Sequence, residues 1–143
     1  MTVVEGERRF AAAPERVFEL LTSPDVIASA IPAVREHRVV DHDHWEAKVK
    51  PPLPLAPRVT IHFEVLERRA PEHAALHAHG AGADVTSRFD LSAVDDGTLM
   101  RWTTELHFTG LLRPLGGHGL DSVARHQAAR TLDAVDHALA ASG

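Results

Sequence analysis

The sequence has no cysteine. That excludes disulfides, thiolate metal sites and a cysteine nucleophile, and it is compatible with a reducing compartment. Large aromatics are scarce, with five phenylalanines and two tryptophans beside many alanines. Such a mixture can leave a cavity or pack tightly. Lysine occurs only at Lys48 and Lys50, against thirteen arginines. The net charge of -5 argues against a nucleic-acid partner, whose footprint is a basic patch or stripe. No window approaches the roughly 20 apolar residues of a membrane span, so a membrane role would need surface contact or a partner. The N-terminal MTVVEGERRF carries charges at once and has no apolar h-region. No signal peptide is therefore expected, and the expected location is cytoplasmic.

What is present suffices for one domain over residues 1–143. Thr2 to Phe10 reads as a strand. Pro14 then fits a first helical turn, where its missing N–H would be unpaired anyway. Val17, Leu20 and Leu21 share a helical face, with Phe18 beside it. Ser23 and Pro24 provide the cap and first turn of a second short helix, with Val26, Ile27, Ala30 and Ile31 as its apolar side. Pro32 ends it.

Strands follow. Arg35–Val40 and Trp45–Val49 flank a four-residue turn candidate, Asp41 to His44. The segment KPPLPLAPR is too rich in proline for a central strand. Its Leu53 and Leu55 are expected under the sheet or at the mouth of a cavity. Val59, Ile61, Phe63 and Val65 alternate with polar residues, as do Val85, Ser87, Phe89 and Leu91, then Met100, Trp102, Thr104, Leu106 and Phe108. Ala74, Leu76 and Ala78 form a weaker run of the same kind. Such a series predicts an antiparallel meander with one solvated face. Arg88, Arg101 and Glu105 fall on that solvated face, where cross-strand pairs are expected.

After Gly110, Gly116, Gly117 and Gly119 the period becomes helical. Leu120, Val123, Ala124, Ala128, Thr131, Leu132, Val135 and Leu139 fall near one stripe. Counted from about Arg113, the helix would span roughly 25 residues, or roughly 38 Å. A curved sheet has a concave face that must be covered, and one long helix covers it.

The order of elements resembles the helix-grip fold of the SRPBCC superfamily, which holds START domains, the birch-pollen-allergen group and the polyketide cyclase/dehydrase group. Phe10 to Phe18 looks like the strand end and "APxxVW" helix start of that superfamily. Ser23 to Pro32 resembles the "DPExLAxCIPG" segment of the CoxG-like family, which is linked to carbon monoxide dehydrogenase. Gly110 to Gly116 resembles that family's "GxLAxLG" approach to the last helix. Three positions depart from the pattern: Ala30 replaces its cysteine, Ala33 its glycine, and KPPLPLAPR a glycine-containing segment. The resemblance implies an α+β fold in which a curved antiparallel sheet wraps around a long C-terminal helix, with two short helices after the first strand. It also implies a cavity between sheet and helix for an apolar small molecule such as a lipid, quinone or polyketide. Two alternatives come with it: a polyketide cyclase/dehydrase-like enzyme, and a maturation or recruitment factor for a molybdenum hydroxylase.

The expected cavity residues are Phe18, Ile27, Ile31, Val59, Ile61, Phe63, Ser87, Phe89, Trp102, Thr104, Phe108, Leu120, Ala124 and Leu132. Ser87 and Thr104 are the polar exceptions in the inward phases and could hydrogen-bond a ligand carbonyl. No catalytic residue is assigned, because those phases hold almost no titratable group. Arg113, His118 and His126 are placed nearer a cavity mouth. Asp84 has an ordinary solvated explanation. Neither glycine cluster is a phosphate loop. His42 and His44, like His77 and His79, would put paired imidazoles on one strand face if the strand is regular, but His42 falls in a polar turn and zinc would want a third ligand such as Glu46 or Glu72. With no HExxH or comparable spacing, no metal and no cofactor are assigned. A partner-binding factor would instead show an exposed apolar patch, with Leu53, Leu55, Leu111 and Leu112 as candidates.

Overall fold

The computed structural model describes residues 1–51, 54–117 and 119–142, the side chains of Leu111 and Ser142 excepted. The chain runs β1 (Thr2–Phe10), α1 (Pro14–Leu21), α2 (Pro24–Ser29), β2 (Val34–Asp41), β3 (His44–Val49), β4 (Val59–Arg69), β5 (His73–Gly80), β6 (Ala83–Val94) and β7 (Gly97–Phe108). A 3-10 segment (Gly110–Gly116) and the long α3 (Leu120–Ser142) complete it. The strands form one antiparallel sheet in the order β1-β7-β6-β5-β4-β3-β2. Strands β2 to β7 each pair with the next along the chain, and β1 closes beside β7. This curved sheet with a long C-terminal helix is the helix-grip arrangement.

Local chemistry explains the short elements. Pro14 and Pro24 each open a helix. The Ser23 hydroxyl accepts from the Val26 N–H at 3.4 Å, the expected cap of α2. The β2–β3 turn is tighter than expected, since β2 runs to Asp41 and β3 starts at His44. Asp41 causes this: its Oδ1 accepts from the Asp43 N–H at 2.9 Å and lies 2.8 Å from His44 Nδ1. A short acidic side chain bonded to the backbone two residues on stabilises a turn.

The last helix begins later than Arg113. Residues Gly110–Gly116 form the 3-10 segment, and Gly119 takes a left-handed φ of 86°. A helix cannot run through that conformation, so α3 starts at Leu120. Its 23 residues still span about 35 Å.

The core lies in three clusters. Phe10, Val17, Phe18, Leu21, Phe89, Met100, Leu132 and Val135 pack between α1, the sheet and the C-terminal half of α3. Val4, Leu106, Leu120 and Ala124 pack at the other end of that helix. Ala28, Trp45 and Ala47 join α2 to β3, with Ile27 and Phe63 against them. On the outer face Arg101 reaches Glu7 at 3.5 Å, one of the expected cross-strand pairs.

Candidate functional site

Between these clusters the sheet and α3 enclose a cavity of about 360 Å³. Strands β3 to β7 contribute their inward phases, because successive side chains alternate between faces. Helix α3 contributes Leu120, Val123, Ala124, Gln127, Ala128, Thr131 and Leu132, and the 3-10 segment contributes Leu112 and Leu115. Val123 is 64% exposed, which places it at an opening.

Of the residues expected from the sequence, Ile31, Val59, Ile61, Phe63, Ser87, Phe89, Trp102, Thr104, Phe108, Leu120, Ala124 and Leu132 line this space. Phe18 and Ile27 do not. Phe18 is buried in the first core cluster, where α1 packs against the sheet and α3. Ile27 turns toward Trp45 and Ala47. Helical phase showed that both face inward, but not which neighbours they meet.

The proline-rich segment contributes Pro51, which is buried and lines the cavity. Lys50 Nζ donates to the Ala56 carbonyl and ties the segment's ends together. Leu55 is fully exposed rather than tucked away, while Leu53 lies outside the described residues. Leu112 is buried and faces the cavity, so it offers nothing to an outside partner. The Leu111 side chain lies outside the described residues.

Among the described residues, four polar side chains interrupt the apolar wall: Ser87, Thr104, Gln127 and Thr131. Ser87 and Thr104 sit opposite each other on β6 and β7, their hydroxyl oxygens 2.9 Å apart. One hydroxyl donates to the other, so the pair retains one proton to donate to a ligand. On α3, Gln127 Nε2 donates to the Ala30 carbonyl at 2.9 Å, which leaves its Oε1 as an acceptor. Sequence reading missed Gln127. Its signal was its place three residues after Ala124 and four before Thr131, on the apolar stripe.

The family model described as polyketide cyclase / dehydrase and lipid transport matches residues 1–142. The chain belongs to this family. Solved structures agree on the fold. A conserved protein from Geobacillus kaustophilus superposes with a TM-score of 0.83 at 18% identity, over 99% of this chain and 97% of that one. A START superfamily protein from Mycobacterium smegmatis gives 0.76 at 11% identity, over 99% of each chain. Ara h 8.0201 gives 0.73 at 12% identity, over 98% of each chain. No curated protein matches.

The family's description spans catalysis and transport, so the chemistry of the cavity must decide between them. Among the described residues, no Asp, Glu, His, Lys or Arg lines it. Arg113 and His126 are exposed, and His118 lies outside the described residues. Asp84 and Arg88 are exposed on the outer face, in the opposite phase of β6 from Ser87.

Several titratable groups face outward or lie at the β2–β3 turn. Burial disfavours the charged form of His77, but hydrogen bonds to Asp84 and Glu64 outweigh it and raise its pKa. Arg38 donates to Glu46 at 2.8 Å and holds that carboxyl below its ordinary value. The hydrogen bond from His44 does the same for Asp41.

Proposed function

We propose that the chain binds one apolar molecule, single-chained or ring-sized, in the cavity between sheet and α3, and carries it without chemical change. The observation that supports this is the lining: an apolar wall with two hydrogen-bonding stations and no ionisable side chain among the described residues. Small-molecule sites run from about 300 to 1,000 Å³, and this cavity lies at the lower end. That favours a fatty chain, a quinone head or a polycyclic ring over a two-chain lipid. Each 100 Å² of apolar ligand surface removed from water contributes about 2.5 kcal/mol before the costs of association. The Ser87–Thr104 pair then selects for an acceptor oxygen on the ligand and Gln127 Oε1 for a ligand O–H or N–H, in an otherwise apolar body.

A cyclase or dehydrase needs an acid or base with a tuned pKa beside its substrate. The described lining supplies none, which favours the carrier. The CoxG-like reading, with a molybdenum hydroxylase as partner, rests on the motifs at 10–18, 23–32 and 110–116. A cytoplasmic carrier fits it, and no helix among the described residues is long and apolar enough to cross a membrane.

Trp102 lines the cavity and Trp45 does not. A Trp45→Phe variant therefore leaves one reporter at the site. Titrated with a long-chain fatty acid and with a short-tailed quinone, its emission should change saturably with at least one of them. Ala128→Phe, which fills the cavity from α3, should abolish that change. No saturable change with either ligand, or equal binding by the filled variant, would overturn the proposal.

A further inference from the structure

We propose that Glu64, His77 and His79 form a binding site for a divalent transition-metal ion of the zinc type on the outer face of the sheet. The three residues can each present one ligand atom so that all lie within 4.8 Å of one another. Cross-strand register builds the group. Glu64 on β4 sits directly opposite His77 on β5, and His79 follows on the same face two residues later. The carboxylate was not visible as a partner in the sequence, because thirteen positions separate it from His77. The expected third ligands, Glu46 and Glu72, are not members of this trio.

His77 lies between two carboxylates, with spacings that serve a hydrogen bond and metal ligation alike. Its Nδ1 lies 3.2 Å from Glu64 Oε1, and its Nε2 lies 2.9 Å from Asp84 Oδ1. Two ligands of a tetrahedral zinc ion, each about 2.0–2.1 Å from it, stand about 3.3 Å apart. The His77–Glu64 pair is therefore already at ligand spacing. Asp84 holds the other nitrogen, the arrangement in which a carboxylate fixes the tautomer and orientation of a ligating histidine. The His79 ring stacks on His77 with centroids 4.9 Å apart, and His62 stacks on His79 at 5.5 Å. Ligation requires the His79 ring to turn out of this stack so that one of its nitrogens points at the ion, and His62 is the neighbouring imidazole.

Donor chemistry selects the ion. Two imidazoles and one carboxylate suit zinc, nickel, cobalt or copper(II). Calcium needs six to eight oxygens, and one carboxylate does not provide them. Ala78, between the two histidines, lines the cavity from the opposite face, as does Phe63 beside Glu64. The two sites thus share β4 and β5 while facing apart.

The test is calorimetric titration of Zn2+ into the chelator-stripped full chain. One equivalent should bind with a micromolar dissociation constant. His79→Ala and Glu64→Gln should each weaken binding by at least about tenfold, and Asp84→Asn by a smaller factor, since it orients a ligand rather than being one. His137→Ala, an exposed histidine on α3, should leave binding unchanged. Should a site variant fail to fold, Zn2+-induced shifts of the His77 and His79 imidazole resonances in the unaltered protein decide instead. No binding below millimolar Zn2+, a loss equal in His137→Ala, or shifts confined to other histidines would overturn the proposal.

Discussion

Gly6 on β1 sits opposite Trp102, and a Cβ added there would stand 2.8 Å from the indole Cζ2. The missing side chain is therefore what lets the indole lie over β1 at the cavity wall. Gly6→Ala should destabilise the protein by about 1–3 kcal/mol, as overpacking does, and shift the Trp102 emission. Denaturant unfolding and fluorescence check both. Thr98 is fully buried, and its hydroxyl donates to the Ala12 carbonyl at 2.7 Å. Thr98→Val keeps the shape and loses the bond, so about 1–2 kcal/mol of stability should go with it. Glu46 gives the pH prediction. Its folded-state pKa is depressed, chiefly by the Arg38 hydrogen bond. The stabilising contribution is therefore present above the unfolded-state pKa and lost as pH falls through the folded value. An NMR titration should place the Glu46 midpoint below the ordinary glutamate value, and Arg38→Gln should move it up.

Element faces were legible where the side-chain period is strict. The alternation from Val59 to Val65 placed Ile61 and Phe63 on the cavity side, and Val85 to Leu91 did the same for Ser87 and Phe89. Helix α3 was legible as a stripe that turns helical after Gly119, where it starts at Leu120; only its extension back to about Arg113 failed, because Gly110–Gly116 is a 3-10 segment and Gly119 makes a left-handed turn that the apolar pattern does not encode. Phe18 and Ile27 were misplaced for a related reason: a helical face names a direction, while its partner is set by tertiary packing. The clamp between α3 and β1 was also invisible. Arg8 bonds Asp133 at 2.6 Å and Asp136 at 2.5 Å, across more than a hundred residues of sequence. Both carboxylates are substantially exposed, so the clamp contributes only about 0–1 kcal/mol. Arg8→Gln should lower the melting temperature slightly at low salt, and the difference should vanish at high salt.

At the scale of the whole molecule, the chain solves one problem in two ways. A seven-stranded curved sheet needs its concave face covered, and α3, together with α1 and α2, covers it. Its apolar side chains fill the space at both ends, through Leu120 and Ala124 and through Leu132 and Val135. In the middle, Gln127, Ala128 and Thr131 face an open volume that they do not fill. Composition could not reveal this, since alanine-rich sequences either collapse or leave room, and only the spacing of helix and sheet decides. The outer face follows the same rule. His62, Glu64, His77 and His79 were each readable as outward residues, but their meeting depends on strand register.

The central claim is that this volume exists to hold an apolar molecule. Native mass spectrometry of the protein, before and after exposure to a cell lipid extract, tests it most directly. A carrier should gain the mass of one small molecule per chain, released on denaturation and identified as a single-chain or ring-sized apolar compound. The Ala128→Phe chain should remain at its bare mass. A bare mass for the unaltered protein after exposure would contradict the claim.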